Sequence, residues 1–325
     1  MERAAAHLIA SIPLISLLTI LLPSSPPMRA AASLGLGCSP KYLKPFQSDP
    51  GVEWFLGMPS SADQADAILL FGGDGTIHRH LGQLVKLNLP VLVVPAGSGN
   101  DFARALGLRR VRDSLAAWKK FCSGADNVRP IDLGTIAALE NAGGEHAPDK
   151  YFCSVGAIGL DAAVARSANR LPRWLRGHGG YLLALIPTIL TFTPFIAKIL
   201  TPSEGSPTEH DLLWTARSHQ PTVLAAFANT AQYGGGMKIA PRARADDALL
   251  DICIVGKVGR LRLLRLAPTV YFGHHLKLRD VEYFQAARLR VETEYPLDVY
   301  ADGEYVCRTP VEVSVHRDAL KIITC

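Results

Sequence analysis

The 325-residue sequence has no CxxC pair, no Cys/His cluster at metal-ligand spacing, no internal repeat and no low-complexity tract. Its six cysteines, Cys38, Cys122, Cys153, Cys253, Cys307 and Cys325, are scattered. Their spacing implies neither a disulfide framework nor a zinc site, and a reducing compartment suits them best. Charge of one sign is also scarce, with 34 Lys and Arg against 29 Asp and Glu, a net +5. So mild an excess favours contact with an anionic surface such as phospholipid or nucleotide, and nucleic acid is not expected as a partner. Nothing in the composition points to disorder, and 48% hydrophobic residues suffice for two modest cores, so two domains are expected.

A full membrane span is lacking too. Residues 1–27 stand apart: Ala6 to Leu22 is almost wholly apolar, preceded by Glu2 and Arg3 and followed by a Pro/Ser-rich stretch to Pro27. The run is shorter than the roughly 20 residues a bilayer requires, and Pro13 interrupts it. Three readings stand: a signal-like segment, a short N-terminal anchor, or a start at Met28, with Arg29 to Leu36 then the first strand.

From Ala67 to Leu133 short apolar runs alternate with helical stretches, the pattern of βαβ units on a parallel sheet. Ala67 to Phe71 and Val91 to Val94 read as buried strands. Ile77 to Leu87, Asn100 to Leu106 and Asp113 to Phe121 read as helices. After Arg129 short β-prone segments dominate: Tyr151 to Val155, Thr222 to Ala228, Leu249 to Val255, Arg288 to Glu294, Leu297 to Tyr300 and Val311 to Val315. The expected fold is therefore an α/β domain with a parallel sheet over 28–128, followed by a mainly antiparallel β-domain over 129–325. Gly180 to Leu200 is expected to be helical, either packed on its own core or presenting an apolar face to lipid.

Two glycine-rich loops follow strands, where open α/β sheets bind ligands. In Gly72-Gly73-Asp74-Gly75-Thr76 glycine permits close backbone approach to a ligand, and the first N–H groups of the next helix attract anions. Asp74 would repel a phosphate unless Mg²⁺ or a donor hydroxyl intervenes, so it reads as a metal or orienting residue, or simply as an Asp-Gly turn. In Pro95 to Asp101, Ser98 can donate to a phosphate or a ribose, Asp101 lies at the next helix start, and Arg104 can neutralise phosphate charge. Asp302-Gly303-Glu304 reads as a hairpin turn. Asp246, Asp247 and Asp251, at a strand's start, offer oxygen ligands to a hard cation or form a solvated turn.

Taken in order, GGDGT at 72–76, VPAGSGNDFARAL at 94–106, IDLG at 131–134, NTAQYGGGMKIAPRARADDALLDI at 229–252 and YADGE at 300–304 resemble the diacylglycerol kinase catalytic-domain family, which is related to sphingosine kinases. The resemblance implies a nucleotide-binding α/β domain, a C-terminal β-sandwich domain for the lipid substrate, and transfer of the ATP γ-phosphate to a lipid hydroxyl between them. It assigns ATP to Gly72, Gly73, Asp74, Gly75, Thr76 and Ser98, with Asp74 also serving magnesium. Asp101 and Arg104 would line the cleft, and Glu304 would accept the hydroxyl proton with Asp302 beside it. A structural magnesium would sit at Arg244, Asp247 and Leu249, supported by Asp132 through water.

Three departures from the family stand out. Leu36 to Lys41 replaces the usual Asn-Pro-x-Ser-Gly loop, His78 and Arg79 replace Asn-Glu, and Ala248 replaces a glycine, which disfavours a positive φ there. Two rival readings are an NAD kinase, which shares the GGDGT loop, and a catalytically inactive lipid-binding protein. The acceptor is left open among diacylglycerol, a sphingoid base and other lipid alcohols. The expected partner surface is the inner face of the membrane, held peripherally from the cytoplasm through Arg173, Arg176 and Lys198. A homodimer is left open.

Overall fold

The computed structural model of the chain describes residues 27–139, 150–172, 180–203 and 213–325, so the apolar run from Ala6 to Leu22 lies outside the described residues. Strands β1 (Met28–Leu34), β2 (Val52–Leu56) and β3 (Ala67–Gly72) lead into helix α1 (Asp74–Leu87), followed by β4 (Pro90–Pro95), α2 (Asp101–Ala105) and α3 (Val111–Cys122). These four strands are parallel, in the order β4-β3-β1-β2. β3 is buried along its whole length, as a parallel strand covered on both faces must be. α1 buries Ile77, Leu81, Leu84 and Leu87 on one face and ends at Asn88, whose left-handed conformation (φ 51°) stops the helix.

The chain then becomes mainly antiparallel. β5 (Val128–Ala138), β6 (Lys150–Phe152) and β7 (Val155–Gly159) precede helices α4 (Leu160–Asn169) and α5 (Gly180–Thr191). Next come β8 (Phe195–Pro202), β9 (Trp214–Ala228), β10 (Leu250–Gly256) and helix α6 (Arg260–Leu266), then β11 (Val281–Ala286), β12 (Arg288–Thr293), β13 (Asp298–Ala301), β14 (Glu304–Arg308) and β15 (Val311–Ile323). Inward side chains of these strands, among them Phe152, Ile199, Phe227, Ile252, Val291 and Val313, form a core separate from the one under the parallel sheet. A further apolar cluster lies beneath α4 and α5.

The two halves share strands. β15 pairs antiparallel with β5 along nearly its full length, and its end turns parallel to β4, with Lys321 opposite Pro90. Leu320, Ile322 and Ile323 thereby enter the N-terminal core.

Two expected elements differ. The helix read from Gly180 to Leu200 ends at Thr191, and Phe195–Pro202 is a strand. Thr193-Pro194 breaks the helix, because proline restricts the residue before it and lacks the N–H to continue. The strand read over Tyr151 to Val155 is interrupted at Cys153 and Ser154, whose amides are diverted to a side chain described below.

Candidate active site

The two glycine loops touch. A Cβ on Gly97 would stand 2.4 Å from the Cα of Gly73, and one on Gly72 would stand 2.5 Å from the Cβ of Thr76; no real side chain tolerates such distances, so glycine is required at both. Asn100 shapes the second loop from within. At φ 56° it accepts the Gly97 N–H at 2.9 Å and donates to the Gly97 carbonyl at 2.7 Å. Gly97 and Ser98 are left facing solvent beside the start of α1, where unsatisfied helix N–H groups and the helix dipole favour an anion.

Asp74 fastens these loops together. Its carboxylate accepts the backbone N–H groups of Asp101 (3.2 Å) and Phe102 (3.1 Å), the first residues of α2. Gly99 is the close neighbour, since a Cβ there would lie 2.7 Å from the Asp74 carboxylate. Burial, and next the charge of Asp101, hold Asp74 above the ordinary carboxylate range, against the two amide hydrogen bonds. A carboxyl group in that state lies in a site short of positive charge, which a divalent cation would supply. Among the described residues no three His, Cys, Asp or Glu side chains gather as a closed metal cage. The donor set therefore fits magnesium held by one carboxylate together with phosphate oxygens and water.

Asp101 is almost fully buried and pairs with Arg104, one turn along. Its other oxygen accepts the N–H of Gly235 at 2.7 Å, which ties α2 to the loop after β9. In that loop Tyr233 donates to Asp161 of α4 at 2.5 Å. Asp161 lies outside every segment that carries the family resemblance, and Tyr233 lies within the 229–252 segment without a role assigned from sequence.

The third component is the β13–β14 hairpin. Asp302 (φ 51°) and Gly303 (φ 86°) form its two-residue turn in the left-handed region, as the Asp-Gly pair predicts. The Asp302 side chain has no exposed surface. It accepts the N–H groups of Cys153 (2.9 Å), Ser154 (2.8 Å) and Val155 (3.3 Å), which explains the break between β6 and β7. It also bonds Nδ1 of His78 at 3.0 Å. Glu304 is exposed at the head of β14, and its Oε1 lies 3.5 Å from where a Cβ on Gly75 would stand. The hairpin thus sets a solvent-facing carboxylate against the first turn of α1.

The loop at Arg244, Asp247 and Leu249 is held by its own bonds. Asp247 accepts the Leu249 N–H at 3.1 Å and a Gln285 amide proton at 3.3 Å. Gln285 also reaches the buried Asp251, which burial, and to a lesser degree the Asp247 charge, keep above the ordinary range. Asp247 and Asp251 so close together fit a cation. Asp132 reaches this loop directly, accepting the N–H groups of Ala248 (2.8 Å) and Asp318 (2.9 Å).

Ala248 corrects an expectation: its φ is 61°, the conformation alanine was expected to avoid. The hydrogen bonds to Asp132 and Asp247 on either side hold it there at a cost of about 1–2 kcal/mol. Ala248→Gly is therefore expected to stabilise the fold by about 1 kcal/mol, the strain relieved less the larger backbone entropy of unfolded glycine. Urea unfolding followed by fluorescence measures it.

Just before the segment replacing the family's first loop stands Gly35, where a Cβ would meet the Thr76 hydroxyl at 2.5 Å. Leu36 is 78% exposed, and the Cys38 thiol donates to the Phe71 carbonyl at 3.5 Å. This segment packs against the 72–76 loop and the end of β3 through backbone and thiol, and it has no asparagine amide to offer.

Residues 55–136 match the diacylglycerol kinase catalytic domain, and residues 154–324 match the YegS C-terminal NAD kinase beta sandwich-like domain. A diacylglycerol kinase of Mycobacterium tuberculosis is 33% identical over 268 residues, covering 81% of this chain and 78% of that protein. One of Bacillus subtilis is 27% identical over 259 residues, covering 78% and 76%. A crystal structure of a diacylglycerol kinase from Bacillus anthracis superposes with a TM-score of 0.61 at 20% identity, covering 92% of this chain and 97% of that one, which shows a common fold. The chain belongs to the diacylglycerol kinase and YegS family of lipid kinases.

Proposed function

We propose that this protein transfers the γ-phosphate of ATP to a hydroxyl group of a lipid, with Glu304 accepting the hydroxyl proton. The observation that carries the reading is the position of Glu304, brought by a distant hairpin to the first turn of the helix that the phosphate loop opens. ATP phosphates would lie on Gly72, Gly73, Gly75 and the 97–99 loop, within reach of the Thr76 and Ser98 hydroxyls and of Arg104. Magnesium, held by Asp74, would offset charge on the phosphates, and a second ion at Arg244, Asp247 and Leu249 would be structural. As the acceptor oxygen bonds to the γ-phosphorus, its proton moves to Glu304, the bond to the β-phosphate oxygen breaks and ADP leaves. Asp302, with its oxygens enclosed, supports the hairpin and does not meet substrate. In this reading residues 28–128 form the nucleotide unit and 129–325 the lipid unit, with the end of β15 serving both.

The acceptor's tail has a place to go. A cavity with room of about 90 Å³ opens between α4, α5, α6 and the β9–β10 face, and its lining is apolar apart from a few side chains such as Asp161 and Tyr233. Leu160, Val164, Ile189, Val223, Ile239 and Val270 are among the apolar wall residues. Tyr233 is two residues from Gly235, which bonds Asp101, so the polar end of the cavity adjoins the cleft. Leu185→Trp, at the partly buried wall, is expected to raise KM for a long-chain acceptor by about tenfold or more, the scale on which an apolar pocket discriminates by size. KM for ATP should stay unchanged in the same assay.

Around this cavity α5 exposes Leu183, Ile186 and Leu190, and Leu261 of α6 and Phe272 are 81% and 70% exposed. Lys257, Arg260 and Arg265 flank them in sequence. This face supports peripheral docking on an anionic membrane. Of the cluster expected from sequence, Lys198 pairs with Glu292 at 3.0 Å, and Arg173 and Arg176 lie outside the described residues. Among the described residues no helix is long and apolar enough to cross a membrane.

Incubating the purified protein with γ-labelled ATP and a membrane lipid extract tests the reading. A labelled lipid is the expected product. Label in NAD alone would favour the NAD kinase rival, and no label in either would favour an inactive lipid binder.

A further inference from the structure

Five donors converge on the enclosed carboxylate of Asp302: the N–H groups of Cys153, Ser154 and Val155, the Cys153 thiol and Nδ1 of His78. An ionised carboxylate only accepts, so among these donors Nδ1 of His78 is the protonated nitrogen. Four of the five come from the β6–β7 junction and hold the hairpin to the sandwich. Among the described residues, His78 alone makes a hydrogen bond between the hairpin and α1. α1 is the helix whose first turn belongs to the phosphate loop, and His78 stands one turn after Asp74. Glu304 lies two residues after Asp302, across from Gly75.

We propose that His78 is the positioning residue of this active site, fixing through Asp302 the distance between the hairpin that carries Glu304 and the phosphate-binding turn of α1. The inference rests on Glu304 being the proton acceptor. Without His78, Asp302 keeps its four other donors and stays satisfied, so the hairpin remains folded. What is lost is the tie across the cleft. The tip can then shift relative to α1, and catalysis is sensitive to displacements of about 1 Å.

A histidine suits the task because its ring is rigid and its ring nitrogen is a directional donor. When protonated it also places a cation near the carboxylates of Asp302 and Glu304. Burial opposes the charged imidazole, but the hydrogen bond and charge of Asp302 and the charge of Glu304 outweigh burial and Lys150, so His78 titrates above the ordinary histidine range. An asparagine at this position could donate the same hydrogen bond without the charge. Position and charge are thus separable by substitution.

The test is a double-mutant cycle of His78→Leu with Glu304→Gln, with His78→Asn as the conservative variant, assayed on the full chain with ATP and a lipid acceptor in mixed micelles. His78→Leu should lower kcat by about 10- to 100-fold while KM for ATP and the melting temperature stay near wild type. His78→Asn should recover most of the rate. In the Glu304→Gln background His78→Leu should cost less than about threefold, because a residue that acts through Glu304 has nothing left to position. Full additivity of the two losses, or His78→Asn as slow as His78→Leu, would overturn the proposal and leave Glu304 in place as the base. A wild-type kcat in His78→Leu would do the same. A wild-type kcat in Glu304→Gln would overturn the assignment of the base, and the proposal with it.

Discussion

Glu304→Gln is expected to lower kcat by about 10²- to 10⁴-fold, the range that one general base contributes. The amide has the shape of the carboxylate and cannot take a proton. Because Glu304 is exposed and among the described residues accepts no hydrogen bond, its replacement leaves no buried group unpaired, and the melting temperature should not move. KM for ATP should also hold, since in the proposed reaction the nucleotide would rest on the glycine loops and Asp74. Single-turnover measurement of phosphorylated lipid, beside nucleotide binding by fluorescence, separates the two. An equal loss of binding and turnover would mean that Glu304 serves the nucleotide and not the acceptor.

Asp74→Asn should reduce kcat/KM for ATP at least about 100-fold, the scale of removing one preorganised electrostatic contact, and should change stability in a pH-dependent way. Asp74 binds its proton more tightly folded than unfolded. The native state therefore holds more protons between the unfolded and folded pKa values, and stability falls as pH rises through the folded value. Asparagine does not titrate. Its amide loses one acceptor for the Asp101 and Phe102 N–H groups, a cost present at every pH. The diagnostic is thus the difference between variant and wild type in urea unfolding, which should shift in the variant's favour from about the unfolded pKa upward and level off above the folded one. With ATP and magnesium added the wild type should regain stability and the variant should not.

The parallel half of the fold and its two loops were legible because their signals are local. β3 is apolar throughout since both its faces are covered, and Gly72, Gly73 and Gly97 stand where backbones must meet. The Asp302-Gly303 turn was legible for the same reason. What was not legible depends on contacts between distant parts of the chain. Asp302 reads as a turn residue, yet its carboxylate is filled by amides 147 to 149 positions earlier. Ala248 contradicts a sound local rule because Asp132, 116 positions away, holds its amide. The strand at Phe195–Pro202 was hidden in an apolar run whose period does not separate strand from helix, although Thr193-Pro194 marked the break. Asp161 carries no sequence signal and Tyr233 is one residue of the long 229–252 segment; only the folded loop after β9 brings them together.

The parallel pairing of β15 with β4 bears on how the molecule is made. Lys321 reaches the carbonyl of Asn88, 233 positions back along the chain, and Ile322 and Ile323 join the core of the parallel sheet. On a ribosome the first βαβ units emerge long before that strand exists, with one edge of β4 unpaired and part of their core open to water. Closing so long a loop is slow compared with local pairing. The N-terminal half is therefore expected to mature only after the C-terminal half has been synthesised, so that the two sides of the cleft become competent together.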